Sequence, residues 1–294
     1  MSEYQYYEFV AIDKPLTDRQ IEAVRKFSSR ADITPTHFVN EYNYGNFRGD
    51  EHEFLAKYFD AMVYVTNWGT RRFMFRIPKE FVDLREVKRY CPGYPVEAKT
   101  AGQNVIFDFV GESEEGGEWE EGSEWMRPLK PLREEMISGD RRVLYLAWLL
   151  LVQAGEVDDS DVEPPVPPGL GKLTKAQKKF VEFMRLDEDL VAAAVEGSGK
   201  MPAAEEGLGE WITKLPQAEK DRMLVAVCEG TDPHVGQRLL RQFRERASGR
   251  KTQDGSAETE RTVGQLRQEA HTQHSRSRRK GKGNSRELDE EHEE

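Results

Sequence analysis

Residues 141–152, RRVLYLAWLLLV, constrain the fold more than any other stretch, because the last ten of them are all apolar. A run of this length is about half of what a membrane-spanning helix needs. Asp140 stands before the run and can cap a helix, and Gly155 stands after it and can end one. The pattern therefore predicts a buried helix at the centre of the C-terminal half.

The N-terminal half predicts a sheet with covering helices. Residues 4–12 and the runs within 61–77 and 96–110 are rich in aromatic and β-branched residues, which are typical of strands. Apolar residues at helical spacing predict helices over about 18–29 and 79–90. This order of elements indicates an α+β domain with a mixed, largely antiparallel sheet and covering helices.

The C-terminal half predicts an all-α helical bundle with the apolar run at its centre. Its later segments carry their own start and stop signals, such as the capping box of Thr174 with Gln177 and the closing Gly230. The segment that begins at Pro216 carries an apolar group. Its members are Met223, Leu224, Val225 and Val227.

Composition divides the chain into four parts. We predict an α+β domain over 1–111, an acidic linker over 112–127, a helical domain over 128–248 and a polar, largely disordered tail over 249–294. Trp119 and Trp125 stand out in the linker, and either dock on the nearer domain or bind a partner. Within the tail, only Val263, Leu266 and Ala270 offer an apolar edge for a helix.

Charge and cysteine usage limit the function classes. A formal net charge of -11 argues against a surface committed to nucleic acid, because phosphate contacts require basic residues. The N-terminus lacks the basic and apolar regions of a secretory signal. Cys91 and Cys228 fall in different predicted domains, which favours two reduced thiols over a disulfide. We therefore expect a cytoplasmic protein without a membrane anchor.

We predict no catalytic constellation, no metal site and no cofactor. The six histidines are scattered, and neither cysteine has an adjacent histidine to activate it. One fragment, Glu97-Ala98-Lys99 with Asp83 upstream and Asp108 downstream, resembles the core of Mg²⁺-dependent nucleases. It departs from that core because Asp83 falls on a predicted helix. An ordinary hairpin with alternating charges is the favoured interpretation.

The predicted hairpin within 61–77 is the strongest candidate for binding. It combines an aromatic residue with several hydrogen-bond donors, a mixture that can recognise a carboxylate, a phosphate or a base. The alternative is that the aromatic residue closes a small core and the arginines lie on a solvated face. The candidate residues are Asn67, Trp68, Thr70, Arg71, Arg72 and Arg76.

The opening SEYQYYEFVAID, together with ITPTHFVNEYNYGNFRGD and the hairpin YVTNWGTR, resembles an uncharacterised family of bacterial proteins that begin in this way. The resemblance covers mainly the N-terminal half and implies no activity, cofactor or catalytic residue.

Two functional hypotheses follow from these observations. The leading one is a non-enzymatic bacterial adaptor whose partner is another protein. The alternative is a protein that binds nucleic acid through the hairpin arginines or the basic residues between Arg276 and Arg286, or that cleaves it through the Glu97-Lys99 strand.

Overall fold

The computed structural model describes residues 3–113, 121–200, 207–248 and 261–275. Its N-terminal half contains one seven-stranded sheet, in the order β2-β3-β1-β4-β5-β7-β6, and each pairing is antiparallel. The predicted α+β class is confirmed. The strands are β1 (Gln5–Val10), β2 (Asp32–Ile33), β3 (His37–Tyr42), β4 (Ala61–Thr66), β5 (Arg71–Pro78), β6 (Val96–Ala101) and β7 (Asn104–Gly111).

Both faces of the sheet are covered, because alternate residues of a strand point to opposite sides and both sets include large apolar side chains. One set, with Phe73 and Phe107, enters a core shared with the C-terminal helices. The other set, with Phe9, packs under α1 (Asp18–Arg25) and α2 (Glu51–Tyr58). The helix predicted over 18–29 is thus present on one face, and the segment predicted as a helix over 79–90 joins the helical half on the other.

The helix predicted over 79–90 is shorter than expected. Lys79–Phe81 form a 3-10 turn, and α3 spans only Leu84–Val87. The side chain of Asp83 accepts a hydrogen bond from the backbone N–H of Arg85 at 2.9 Å, which starts a new helix there. A local cap therefore divides what the apolar spacing suggested was a single element.

The end of the predicted acidic linker is built into the fold. Gly122–Glu124 form a 3-10 turn, and Trp125 after them is buried, with its ring 5.0 Å from that of Phe183. Helix α4 (Met126–Leu129) follows directly. Trp125 therefore docks on the folded chain, whereas Trp119 lies outside the described residues.

The predicted central helix is confirmed as α6 (Arg142–Ala154), which is buried from its first residue to Val152. The carboxylate of Asp140 accepts a hydrogen bond from the backbone N–H of Arg142 at 3.0 Å, and Gly155 ends the helix with φ 74°. Glycine is favoured at a position with this left-handed backbone conformation, because it has no Cβ to clash. Gly155 therefore acts as expected, whereas Asp140 bonds the first turn from the residue before the N-cap, Arg141, whose own side chain makes no capping hydrogen bond.

Helix α6 shares one hydrophobic core with the sheet and with the neighbouring helices. Those helices are α5 (Pro131–Ile137), α7 (Lys175–Phe183) and α8 (Glu188–Glu196). Leu146 of α6 is fully buried, as are Phe75 of β5 and Phe180 of α7. The two halves of the chain are thus joined by apolar packing and not only by a linker.

Three further helices lie beyond this core: α9 (Leu208–Thr213), α10 (Gln217–Glu229) and α11 (Val235–Ser248). The apolar group expected to face the bundle from α10 is largely exposed instead, since Leu224 is 63% exposed and no residue of this helix is buried. Helix α10 rests on α11, which itself contacts α5. This placement, one layer away from the core, leaves the apolar residues of α10 uncovered by the described chain.

A last helix, α12, spans 263–275 and confirms the apolar edge predicted within the tail. Val263 and Leu266 are fully buried, and Ala270 packs against the same core. This part of the predicted tail belongs to the fold, and residues 249–260 and 276–294 lie outside the described residues. Within the described chain, no helix has the length and apolar character needed to cross a membrane.

Candidate functional site

The tip of the β4–β5 hairpin is held rigidly. The side-chain oxygen of Asn67 accepts a hydrogen bond from the backbone N–H of Tyr4 at 3.0 Å, and Thr70 N–H donates to the hydroxyl of Thr66 at 2.9 Å. Gly69 has φ +103°, and a Cβ there would lie 2.5 Å from the carbonyl oxygen of Ser113. Asn67 and Thr70, two of the predicted binding residues, therefore shape the turn.

The three hairpin arginines predicted to bind a ligand all contact other parts of the protein. Arg71 is buried, donates to the carbonyl oxygen of Phe183 at 2.9 Å and lies 5.5 Å from the ring centre of Trp125. Its guanidinium thereby fastens the sheet to α7. The guanidinium of Arg71 therefore makes its contacts inside the fold.

Arg72 and Arg76 are likewise engaged, on the opposite face of the sheet. Arg72 donates to both carboxylate oxygens of Asp108, from Nε at 2.7 Å and from Nη2 at 2.6 Å. Arg76 donates from Nε to Asp60 at 3.0 Å and from Nη1 to the carbonyl oxygen of Ala56. Their side chains remain one-fifth exposed, so the main role visible for both is to satisfy buried carboxylates.

Trp68 differs from the arginines because it stays accessible, with 43% of its surface exposed. It lines an open cavity of about 610 Å³, which we call the hairpin groove. The groove also receives Tyr94 from the loop before β6, and the apolar Leu150 and Met184 from the helical half. Trp68, Tyr94, Leu150 and Met184, with the acidic residues described next, define the groove.

Two glutamates, Glu112 and Glu156, are the charged residues that line the hairpin groove, and both are exposed. The hydroxyl of Tyr94 donates to a carboxylate oxygen of Glu112 at 2.7 Å. Partial burial, together with this hydrogen bond and the charge of Glu112, raises the pKa of Tyr94 to about 12. Tyr94 is 60% exposed and stays neutral at physiological pH, so the groove presents two aromatic surfaces beside negative charge.

Three of the four residues of the nuclease-like fragment meet on one face of the sheet. Glu97 and Asp108 are direct partners in the β6–β7 register, and Lys99 Nζ lies 2.5 Å from a Glu97 oxygen. His52 of α2 joins them, with Nε2 2.8 Å from Asp108 Oδ2, and the His52, Glu97 and Asp108 ligand atoms lie within 4.8 Å of one another. Asp83 is absent from this group, because it caps α3.

Arg72 fills the position that a cation would take in this group. Its Nη2 lies 2.6 Å from Asp108 Oδ2 and 3.1 Å from His52 Nε2, between the two strongest ligand atoms. Burial alone would raise the pKa of Asp108, but the hydrogen bonds and charges of Arg72 and His52 outweigh it and lower that pKa. The carboxylate is thus already compensated by a guanidinium, and the geometry favours an internal ion-pair network over a metal centre.

A second polar group joins the two halves. Asp13, in the loop after β1, contacts buried Arg133 of α5 and lies 3.3 Å from His234 Nε2. Asp13 and His234 line a cavity of about 690 Å³. Here too an arginine neutralises the carboxylate beside a histidine, so the arrangement acts as a clamp between the sheet and the helices.

Sequence reasoning identified Trp68 but missed Tyr94, Glu112 and His52. Tyr94 had a signal, because the turn Cys91-Pro92-Gly93-Tyr94-Pro95 places an aromatic residue among loop formers, where it has no core to join. Glu112 and His52 had none, since their roles depend on which strand ends and helix ends meet in space.

Comparisons with protein-family models, with curated proteins and with solved structures found no match to this chain.

Proposed function

We propose that this protein is a non-enzymatic interaction protein that binds a Lys/Arg-rich segment of another protein in the hairpin groove. The observation that carries the proposal is the pairing of two exposed aromatic side chains, Trp68 and Tyr94, with Glu112 and Glu156 in one cavity. Reduced cysteines and the resemblance to a bacterial family support a role in the bacterial cytoplasm.

The chemistry of the groove matches a cationic and flexible ligand. A Lys or Arg head group over the face of Trp or Tyr contributes about 0.5–1 kcal/mol at an exposed site and about 2 kcal/mol when desolvated. Carboxylates beside the rings add charge-assisted hydrogen bonds to the same head groups. An acidic ligand such as a phosphodiester chain would instead be repelled by Glu112 and Glu156, which is why we favour a peptide over nucleic acid.

The rigid support of the groove favours binding over catalysis. Trp68 is carried on a turn fixed by Asn67 and Thr70, and Tyr94 is held by Glu112. Preformed aromatic surfaces lose little conformational entropy when a ligand binds. The Tyr94 hydroxyl donates to Glu112, and the pKa of Tyr94 is raised to about 12, so this hydroxyl serves as a neutral hydrogen-bonding group that holds the ring in place.

The proposal is tested with a fluorescent peptide of alternating Arg and Gly, titrated with the full chain and followed by anisotropy at low and high ionic strength. Trp68→Ala and Tyr94→Ala should each weaken binding by roughly 5- to 30-fold, which corresponds to about 1–2 kcal/mol. Binding should fall with added salt, because the attraction is partly electrostatic. The matched control is Tyr44→Ala, since Tyr44 is 81% exposed and does not line the groove.

Equal affinities of Trp68→Ala, Tyr94→Ala and Tyr44→Ala would reject the groove as the binding site. Two further measurements distinguish peptide binding from the nucleic-acid alternative. Salt-sensitive binding of a single-stranded oligonucleotide that Trp68→Ala leaves intact would favour a nucleic-acid binder. Mg²⁺-dependent cleavage of DNA that Glu97→Gln removes would favour the nuclease instead.

A further inference from the structure

We propose that residues 276–286 of this same chain occupy the hairpin groove in the free protein, so that an external basic segment must displace them. This inference rests on the proposed function, because it names the first occupant of the same groove. Three observations support it: the charge around the groove, the place where the described chain ends, and the composition of the residues that follow.

Each of the two groove glutamates opens an acidic stretch of the sequence. Glu112 opens the stretch 112–124, ESEEGGEWEEGSE, which contains seven glutamates and no basic residue. Glu156 opens the stretch 156–163, EVDDSDVE, which contains five acidic residues and no basic one. Of these, Asp158 and Asp161 are exposed. Asp159 and Glu163 are paired with Arg267 and Arg261. The exposed acidic residues that remain, Glu156, Asp158 and Asp161, leave a negative charge that attracts a cationic segment before any specific contact forms.

The described chain ends beside the groove. Helix α12 is anchored by Arg267, whose guanidinium donates to the carbonyl oxygens of Val152 at 3.0 Å and Val157 at 3.2 Å. His271 and His274 of α12 line a cavity together with Gln153, and Gln153 also lines the hairpin groove. The last described residues therefore lie one side chain away from the groove.

The residues that follow carry the charge that the groove lacks. The segment 276–286, RSRRKGKGNSR, holds six basic residues and no acidic one. Its eleven residues can span roughly 36 Å when extended, at about 3.3 Å per residue. The segment is thus long enough to follow a cavity that begins at Gln153. Its two glycines and three small polar residues leave room for an arginine to lie over an aromatic ring.

Tethering makes even a weak fit effective. A segment tethered this close to its site has an effective concentration of about 1 mM. A groove with a Kd of about 0.1 mM for a free basic peptide would then be filled roughly nine-tenths of the time by its own segment. The free peptide would then bind about ten times more weakly than the empty groove allows. The acidic residues from Glu287 onward compete for the same cations, so their removal should strengthen the docking.

The first test compares the full-length wild type with a full-length variant in which the six basic residues of 276–286 are replaced by Gln. The variant should bind the Arg-Gly peptide about tenfold more tightly at low ionic strength. Replacing the acidic residues of 287–294 by Gln or Asn should weaken binding relative to wild type. Equal affinity of all three chains, with Trp68→Ala still reducing it, overturns the self-docking and leaves the proposed function standing.

The second test locates the segment directly. Benzoylphenylalanine is introduced in the full chain in place of Ala154, an exposed residue that lines the groove and is not one of its proposed binding residues. The protein is irradiated, and its cross-links are mapped by mass spectrometry. The expected product is a cross-linked monomer joined to 276–286, formed at a yield independent of protein concentration. The matched control carries the same probe in place of Tyr44. Cross-links to other segments, equal yields from both probes, or products found only in dimers would each overturn the proposal.

Discussion

Arg133→Met is expected to lower the free energy of unfolding by about 3–5 kcal/mol at neutral pH, because it removes the buried partner of Asp13 and leaves that largely buried carboxylate with His234 alone. The Arg133 side chain is 1% exposed, and its guanidinium donates to both Asp13 oxygens, at 2.8 and 2.6 Å. Its Nε also donates to the carbonyl oxygen of Arg76 at 2.8 Å. These bonds join α5 to the sheet, so losing them should destabilise both halves of the protein.

The size of this loss should depend on pH. Burial alone would raise the pKa of Asp13, but the hydrogen bonds and charges of His234 and Arg133 outweigh burial and hold that pKa well below its usual value. A depressed pKa contributes stability that is present above the unfolded value of about 3.9 and is lost as the pH falls through the folded value. Because Arg133→Met raises the pKa of Asp13, the stability difference from wild type should shrink below about pH 4.

Urea unfolding followed by circular dichroism, at neutral pH and at a series of acidic values, measures both effects. A double-mutant cycle with Asp13→Asn isolates the coupling between the two side chains. The control is Arg19→Met, an exposed arginine of α1, which should change stability by no more than about 0.5 kcal/mol. A loss below about 1 kcal/mol for Arg133→Met, or a loss unchanged by pH, would refute the assignment of this pair as a clamp.

Three other perturbations test the packing. Leu146→Asp places a charge in the core that α6 shares with the sheet, so both halves should unfold in one transition. A sheet whose amides remain protected from hydrogen exchange in this variant would contradict this. Gly122→Ala would set a Cβ 2.3 Å from the ring of Tyr6, so it should lower the free energy of unfolding, measured in urea, by about 1–3 kcal/mol. An unchanged urea midpoint would show that this turn does not pack against Tyr6. A thiol reagent should label exposed Cys228 at once and Cys91 only on unfolding, because Cys91 is buried and its burial raises the pKa of the thiol to about 12. Two labels on the native protein would refute this.

The parts of the fold predicted correctly are those with local causes. The β4–β5 hairpin and the central helix α6 are encoded by patterns that span fewer than twenty residues, and caps such as Asp140 and Gly155 mark the ends. Helix α12 corrects the prediction of a largely disordered tail over 249–294, although the apolar edge of Val263, Leu266 and Ala270 was the local sign of it. In each case the signal and the structure occupy the same stretch of chain.

The errors arose where a local pattern has more than one tertiary use. The apolar residues of α10 fit a bundle helix, but that helix lies one layer from the core and Leu224 is exposed. Binding by Arg71, Arg72 and Arg76 of β5 stays a prediction, but the strand pattern did not show that each of them also has a partner elsewhere in the fold, the Phe183 carbonyl among them. Spacing along a strand gives the direction of a side chain but not what it meets.

Periodicity, caps and turn residues act over a few neighbours, so the fold class, the position of the central helix and the aromatic tip of the β4–β5 hairpin could be predicted from the amino-acid sequence. Three other features became visible only in the folded chain: the halves share one core, Arg72 rather than a metal compensates Asp108, and Trp68 stands with Tyr94 and Glu112 around a groove. Those outcomes depend on contacts between residues dozens of positions apart, and their free energies are set by burial and charge in the assembled chain.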